Sequence, residues 1–347
     1  MLPYIEQNKD LLKYSSFHTP AVARYFFELR EHSDIEKLHD IWKAAEEESL
    51  PIVFLGSGTN VVFAFDTFEG IIVRNNLKGT EWRENTVKVS GGELISPLSL
   101  RISKAKEKSL FEKWVGLPGT VGGAVAGNAG CFGFEAKDAV LEATIFDMET
   151  GEYRTLGNKN LCCNIPSSQK SGISGKMMKF VGKSSTGANR TTCTESEETE
   201  DLNTEFAFCR DSSNELDFSY RHSILKDNTD WFLVDAVFRT DLASDDTTDV
   251  RTFRSGKQPG GFTCGSFFRN PVGDSAGRLI DQVGLKGYRT GGVKISELHA
   301  NFFVNDENGS YKDILALRDI AKQKVREISG IELQEEARII STPGLKF

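Results

Sequence analysis

Apolar positions along this 347-residue chain change period several times. Ile35, Leu38, Ile41, Trp42 and Ala45 fall on one helical face, and Ser33 followed by Glu36 has the form of a capping box. A helix is therefore expected from Ser33 to near Ser49. Pro51 then opens a short apolar run, Ile52–Leu55, which reads as a strand. Strand-like runs recur at Gly70–Arg74 and Thr86–Val89, and Leu98–Ser109 reads as a helix. Such alternation implies a mixed α and β lobe rather than a helical bundle. Further on, Trp231–Arg239 reads as a strand, and a polar link, Thr240–Asp249, leads into a last lobe. There Ser275–Val283 and Tyr311–Ile328 have helical spacing, the second stopped by Gly330, and Leu333–Ser341 closes as a strand. In that terminal strand Glu336 and Arg338 would share one side, with Glu335 opposite.

The stretch Gly157–Ser213 breaks this periodicity. Its first part is basic without an acid and its second acidic without a base, and Ser, Thr, Asn and Gly are abundant. It reads as a flexible, function-neutral surface insertion. Cys162, Cys163, Cys193 and Cys209 lie there, four of six cysteines in the chain. Their irregular spacing matches neither a disulfide framework nor a zinc site, so no metal is expected.

The formal charge of −8 disfavours a sequence-independent nucleic-acid binder. No apolar run reaches the roughly 18 residues that a membrane span needs. The first residues lack the basic-then-apolar order of a signal peptide, so a cytoplasmic enzyme is expected.

Candidate chemistry begins with two glycine loops. Gly116–Gly133 spends seven of eighteen positions on glycine and carries no lysine or arginine. A ligand phosphate there would lie against peptide N–H groups. The second loop, Gly56-Ser57-Gly58-Thr59-Asn60, lacks the third glycine of a dinucleotide fingerprint, and no Gly-x-x-x-x-Gly-Lys-Ser/Thr motif occurs in the chain. Two such loops in one lobe point to a large cofactor with a buried pyrophosphate. Beyond them lie Tyr220-Arg221-His222-Ser223, with Arg221 read as a strand residue, and Cys264-Gly265-Ser266-Phe267-Phe268-Arg269-Asn270-Pro271. Leu298-His299-Ala300-Asn301-Phe302-Phe303 and Glu335-Glu336-Ala337-Arg338 follow. No hydrolase elbow surrounds Ser266.

Taken in order, Leu-Gly-Ser-Gly-Thr-Asn, Gly-Leu-Pro-Gly-Thr-Val-Gly-Gly-Ala, Tyr-Arg-x-Ser, Gly-Ser-Phe-Phe-Arg-Asn-Pro and Glu-Ala-Arg resemble the UDP-N-acetylenolpyruvoylglucosamine reductase (MurB) family. The resemblance runs from about Ser15 to Ile340, apart from the insertion. It implies an α+β fold: a vanillyl-alcohol-oxidase-type FAD lobe of two α+β subdomains, followed by a C-terminal α+β substrate-binding lobe. The FAD lobe would take residues 1–239, in subdomains of about 1–75 and 76–239 with the insertion at about 157–213. The substrate lobe would take residues 240–347.

By the same resemblance, non-covalent FAD is the cofactor and NADPH the reductant. A UDP-sugar is the small-molecule substrate, in peptidoglycan precursor synthesis, and the chain is expected as a monomer. Gly56, Ser57, Gly58, Thr59 and Asn60, with Pro118, Gly119, Thr120, Gly122 and Gly123, would line the cofactor. Arg221, Ser266 and Glu336 match the catalytic positions: carboxylate binding, proton donation and assistance to enolate protonation. Lys257 matches a position for the UDP phosphates, and Asn270 and His299 match orienting positions. The short link from Phe238 to Thr252 leaves no room for the tyrosine-bearing loop of one family branch, so another group must cap the uridine. Two other readings fit parts of the pattern. One is a flavin oxidase of the same fold, with Cys131 as its candidate covalent link, and the other a silent flavin or nucleotide-sugar sensor.

Overall fold

The computed structural model describes residues 2–106, 108–158, 161, 215–244 and 249–341. The insertion of about 157–213 lies outside the described residues except for Gly157, Asn158 and Leu161. An N-terminal sheet has the order Glu6–Asp10, Val22–Leu29, Thr67–Asn75, Ile52–Leu55. Its first pair is antiparallel and the other two are parallel. The helix Lys37–Glu48 covers this sheet with Leu38, Ile41 and Ala45 and ends where Ser49 turns left-handed. It begins later than the Ser33 box predicts. Ser33 lies inside a short 3-10 turn, His32–Asp34, whose capping box is made by Glu31 and Asp34.

A second, antiparallel sheet has the order Glu152–Gly157, Val140–Asp147, Trp231–Arg239, Thr86–Ser90, Thr80–Trp82. Trp231–Arg239 is its central strand, which explains a nearly continuous apolar sequence. Phe232 and Val234 pack with Phe27, Ile41 and Val73 of the first lobe. Leu233, Ala236 and Phe238 instead face a core shared with Ile95, Leu98, Phe111, Trp114 and Val121. The helix expected over Leu98–Ser109 spans Ile95–Ala105, and Ser109 caps a separate 3-10 turn, Leu110–Trp114.

The last lobe is a small antiparallel sheet, Arg289–Thr290, Val293–Ile295 and Phe303–Asn305. The helices Ala276–Gln282 and Tyr311–Ser329 pack on it through Leu279, Ile280, Ile314, Leu317, Ala321 and Val325. Gly330 ends the longer helix at φ +71°, the left-handed conformation that glycine accepts most readily. The terminal strand is shorter than expected, Arg338–Ser341, and pairs in parallel with Val61–Ala64. That pairing brings the chain end back beside the first glycine loop.

Candidate active site

The strand Ile52–Leu55 ends in Gly56–Asn60, and the chain re-enters a strand at Val61. A Cβ at Gly56 would collide with Thr120 Oγ1 of the glycine string. Gly58 sits at φ +69°, where a side chain would strike the Tyr14 carbonyl. From the other side, a Cβ at Gly119 would lie 3.3 Å from Thr59 Oγ1. Glycine at Gly56 and Gly58 is thus demanded by chain meeting chain, a requirement the expectation of bare backbone for a ligand did not include.

Donor accounting separates the loops. The helix Val121–Ala126 starts at Thr120, and its first N–H groups are already used. Val121 donates to Glu93 O at 2.8 Å, Gly122 to Gly91 O at 2.7 Å and Gly123 to Thr120 Oγ1 at 3.3 Å. The N–H groups of Ser57, Gly58, Thr59, Gly119 and Thr120 make no hydrogen bond among the described residues. The Ser57 hydroxyl is buried without a partner among the described residues. Buried polar groups are nearly always satisfied, so this cluster of open donors fits an anionic group such as a pyrophosphate.

Arg221 is not a strand residue. Ser219 and His222 exchange backbone hydrogen bonds at 3.0 and 3.1 Å, leaving Tyr220 and Arg221 at the tip of a tight turn. Arg221 sits there at φ +58°, a left-handed conformation that costs an L-residue roughly 1–2 kcal/mol. Surrounding contacts hold it. Buried Asn128 donates to Ser219 O at 2.8 Å, Ser223 Oγ to Ala126 O at 3.0 Å, and Lys226 Nζ to Arg221 O at 2.6 Å. Asn128 and Ala126 belong to the glycine string, so the string supports the arginine as well as the first loop.

The Arg221 side chain meets Glu336, Nε to Oε1 at 2.6 Å, and Nη1 donates to Gly130 O at 3.2 Å. Only 22% and 18% of the two side chains are exposed, so water screens this pair less than a surface salt bridge. Nη2 makes no hydrogen bond among the described residues, and the Tyr220 ring lies 5.2 Å from the guanidinium carbon. Glu336 is fixed by its backbone: its N–H donates to Phe267 O at 2.8 Å and its carbonyl accepts from Asn60 Nδ2 at 3.0 Å. Ser266 is the neighbour of Phe267 and bridges to Phe302. Buried Asn301 grips both N–H and carbonyl of Phe268, at 2.9 and 2.8 Å. A closed circuit therefore links Asn60, Glu336, Arg221 and the glycine string, with Ser266 on the segment that anchors Glu336.

Residues 258–340 match the family described as UDP-N-acetylenolpyruvoylglucosamine reductase, C-terminal domain, and residues 30–157 match the FAD binding domain. A UDP-N-acetylenolpyruvoylglucosamine reductase of Rubrobacter xylanophilus is 30% identical, over 99% of this chain and 97% of that relative. The chain belongs to the UDP-N-acetylenolpyruvoylglucosamine reductase family. A relative of the same name from Chloroflexus aurantiacus is 29% identical over 96% of each chain. The crystal structure of a UDP-N-acetylenolpyruvylglucosamine reductase from Thermus caldophilus superposes with a TM-score of 0.66. It covers 97% of this chain and 99% of that one at 23% identity, and shows the same fold. The chain is accordingly an FAD-dependent oxidoreductase of mixed α+β architecture. Among the described residues no helix is long and apolar enough to cross a membrane.

Within this reductase-family chain the remaining expected residues are dispersed. Lys257 ends the helix Val250–Lys257 and is exposed. Asn270 Oδ1 accepts from Ala276 N at 3.1 Å and so caps the following helix. His299 packs on Phe302 and against Gly277, and its Nδ1 accepts from Asn301 N at 3.2 Å. Burial holds its imidazole below the ordinary histidine range, with Lys286 adding to the shift. None of the three is hydrogen-bonded or ion-paired to Arg221, Ser266 or Glu336 among the described residues. Cys131 donates to Lys113 O at 3.2 Å and meets Arg254 at 3.1 Å. Burial pushes its thiol up despite Arg254, which keeps it protonated and a poor nucleophile. Asn128, Lys226, Arg269 and the clamp role of Asn301 were not singled out in the sequence. An asparagine inside a glycine string is a turn signal that could have found Asn128; nothing local distinguishes Lys226 from a surface lysine.

Proposed function

We propose that the chain reduces the enolpyruvyl ether of UDP-N-acetylglucosamine to UDP-N-acetylmuramate, as a cytoplasmic monomer in peptidoglycan precursor synthesis. In this reading residues 1–239 form the FAD lobe and residues 240–347 the substrate lobe. The observation that carries it is the Arg221–Glu336 pair, which joins the glycine loops to the Ser266 segment. FAD, bound along Gly56–Asn60 and Pro118–Gly123, would take a hydride from NADPH and supply it to the methylene carbon of the substrate.

The protein's part is to hold the carboxylate, stabilise the charge that grows on the enolate and return a proton. Arg221 suits the first two tasks, since Nε and Nη1 are held by the protein and Nη2 remains for a ligand oxygen. Ser266 is the proton donor to the α-carbon. A serine is a weak acid and must be poised by position, and such a donor is worth about 10² to 10⁴ in rate. Glu336 lies between Arg221 and the Ser266 segment, where it assists that proton transfer. Lys257 binds the diphosphate and His299 orients the sugar side. Asn270 does the same through its amide nitrogen, because its oxygen caps a helix. The oxidase alternative predicts a covalent flavin link or oxygen reactivity, and the protonated Cys131 does not suit the link; a silent sensor has no use for a proton donor.

The test is to purify the protein, record a non-covalent flavin spectrum, and follow NADPH oxidation with and without the enolpyruvyl sugar nucleotide. No substrate-dependent turnover in the presence of FAD would sink the assignment. Ser266→Ala should leave bleaching of the flavin by NADPH intact and slow substrate reduction by about 10² or more. Loss of both half-reactions would make Ser266 structural.

A further inference from the structure

We propose that Lys226 is a positioning residue for the substrate half of the reaction: its ammonium fixes the left-handed Tyr220–Arg221 turn and adds positive charge beside Glu336. This inference rests on the reductase reading above. Lys226 lies five residues after Arg221, at the end of a short 3-10 turn, Ile224–Lys226. The residue as a whole is exposed, yet its Nζ is turned onto the Arg221 carbonyl at 2.6 Å. That carbonyl belongs to the residue held at φ +58°, so the contact acts where the backbone is least willing to stay.

The charges around Lys226 give the contact a second role. The charges that act on Lys226 are Arg221 of its own turn, Glu336 and Arg338 of the C-terminal segment, and Arg269 of the segment that carries Ser266. Three arginines and one carboxylate thus act on this ammonium, and of the arginines Arg221 is the one bonded to the carboxylate among the described residues. Arg269 Nε is moreover buried without a hydrogen-bond partner among the described residues. The cluster as it stands holds excess positive charge and unused donors. A substrate that brings a carboxylate and develops an enolate beside it supplies the missing negative charge. Loss of water around Nζ, turned inward although the residue as a whole is exposed, then Arg269, Arg338 and Arg221, push the Lys226 ammonium below the ordinary lysine range, against the opposing pull of Glu336. Its charge is therefore lost at a lower pH than that of a free lysine. A neutral amine can still donate to the Arg221 carbonyl, so pH separates the two roles.

The experiment uses the flavin-loaded enzyme in rapid-mixing kinetics, with Lys226→Met and Lys226→Arg. Bleaching by NADPH should be unchanged in both. Re-oxidation by the enolpyruvyl sugar nucleotide should fall about 100-fold in Lys226→Met, the scale for losing one positioned electrostatic donor, and recover in Lys226→Arg. The wild-type re-oxidation rate should decline on a basic limb below the ordinary lysine range, and Lys226→Arg should lack that limb. A Lys226→Met enzyme re-oxidised at the wild-type rate overturns the proposal, as does a basic limb retained in Lys226→Arg. Should Lys226→Met fail to bind flavin, the pH profile of Lys226→Arg decides alone. A wild type that NADPH bleaches but the sugar nucleotide does not re-oxidise overturns the reductase reading and this inference with it. Wild-type turnover beside an unaffected Lys226→Met overturns only the inference.

Discussion

The two glycine loops look alike in sequence and do different work in the fold. Among the described residues, Gly56–Asn60 leaves the N–H groups of Ser57, Gly58 and Thr59 open and a buried serine hydroxyl unpartnered. In the longer string, the first N–H groups of the helix Val121–Ala126 are consumed by Glu93, Gly91 and Thr120, and only Gly119 and Thr120 before it stay open. Much of the string is scaffold: it receives the first loop at Thr120, pins the Arg221 turn through Asn128, and accepts the Arg221 guanidinium at Gly130. Glycine content alone does not mark an anion site. What marks one is backbone donors that the protein itself does not use.

The comparison breaks most readily at Gly58. Gly58→Ala forces a side chain onto the Tyr14 carbonyl at a positive φ, with backbone on both sides of the clash. A loss of about 3 kcal/mol in stability is expected, together with release of flavin. Thermal unfolding and flavin per protein would read both. A Gly58→Ala protein that retains full flavin and melting temperature would mean the loop can relocate and is not the donor site.

The next effect in size tests whether the loops are one packed unit. Gly56→Ala collides with Thr120 Oγ1 alone, while Cγ2 and Cβ of Thr120 lie at 3.4 and 3.5 Å, ordinary contact. It should cost about 2 kcal/mol, and Thr120→Ala about 1 kcal/mol through the lost cap on Gly123. The double variant should be more stable than the sum of the two, by a coupling of about 1 kcal/mol. Additive denaturation midpoints would mean the loops only lie near one another.

The sequence made some of this legible and left the rest to long-range geometry. Ile52–Leu55 and Trp231–Arg239 have the bounds their apolar runs imply, and Gly330 stops the long helix as expected. Glu335 and Glu336 part in direction although both lie before the strand Arg338–Ser341, so strand alternation is not what separates them. Glu335 turns to Lys322 at 3.0 Å and Glu336 to Arg221. The strand is shorter than its apolar run implies, because its partner Val61–Ala64 lies far away in the chain and pairs with four residues. Arg221 reads as a strand residue in sequence because a four-residue turn leaves no periodic trace. The Ser33 box misplaced a helix start because a competing box at Glu31 and Asp34 closes first. Arg221, Ser266 and Glu336 were identified through family resemblance, and geometry adds the groups that hold them: Asn128, Asn301 and Lys226.

The smallest expected effect is the most discriminating between the loops. The Ser57 hydroxyl is buried and has no partner among the described residues, so removing it costs the flavin-free fold no hydrogen bond there. Ser57→Ala should therefore leave the stability of flavin-free protein unchanged or slightly raised, since an unsatisfied buried hydroxyl is itself unfavourable. The same change should weaken FAD binding about fivefold, the equivalent of one hydrogen bond worth about 1 kcal/mol. Thr120→Ala inverts that pattern: stability falls with the cap while affinity changes little, because its hydroxyl already serves Gly123. Melting temperatures of flavin-free protein set beside FAD titrations of both variants decide the matter. If Ser57→Ala lowers stability and leaves affinity alone, the serine is structural, and the contrast between a donor loop and a scaffold string collapses.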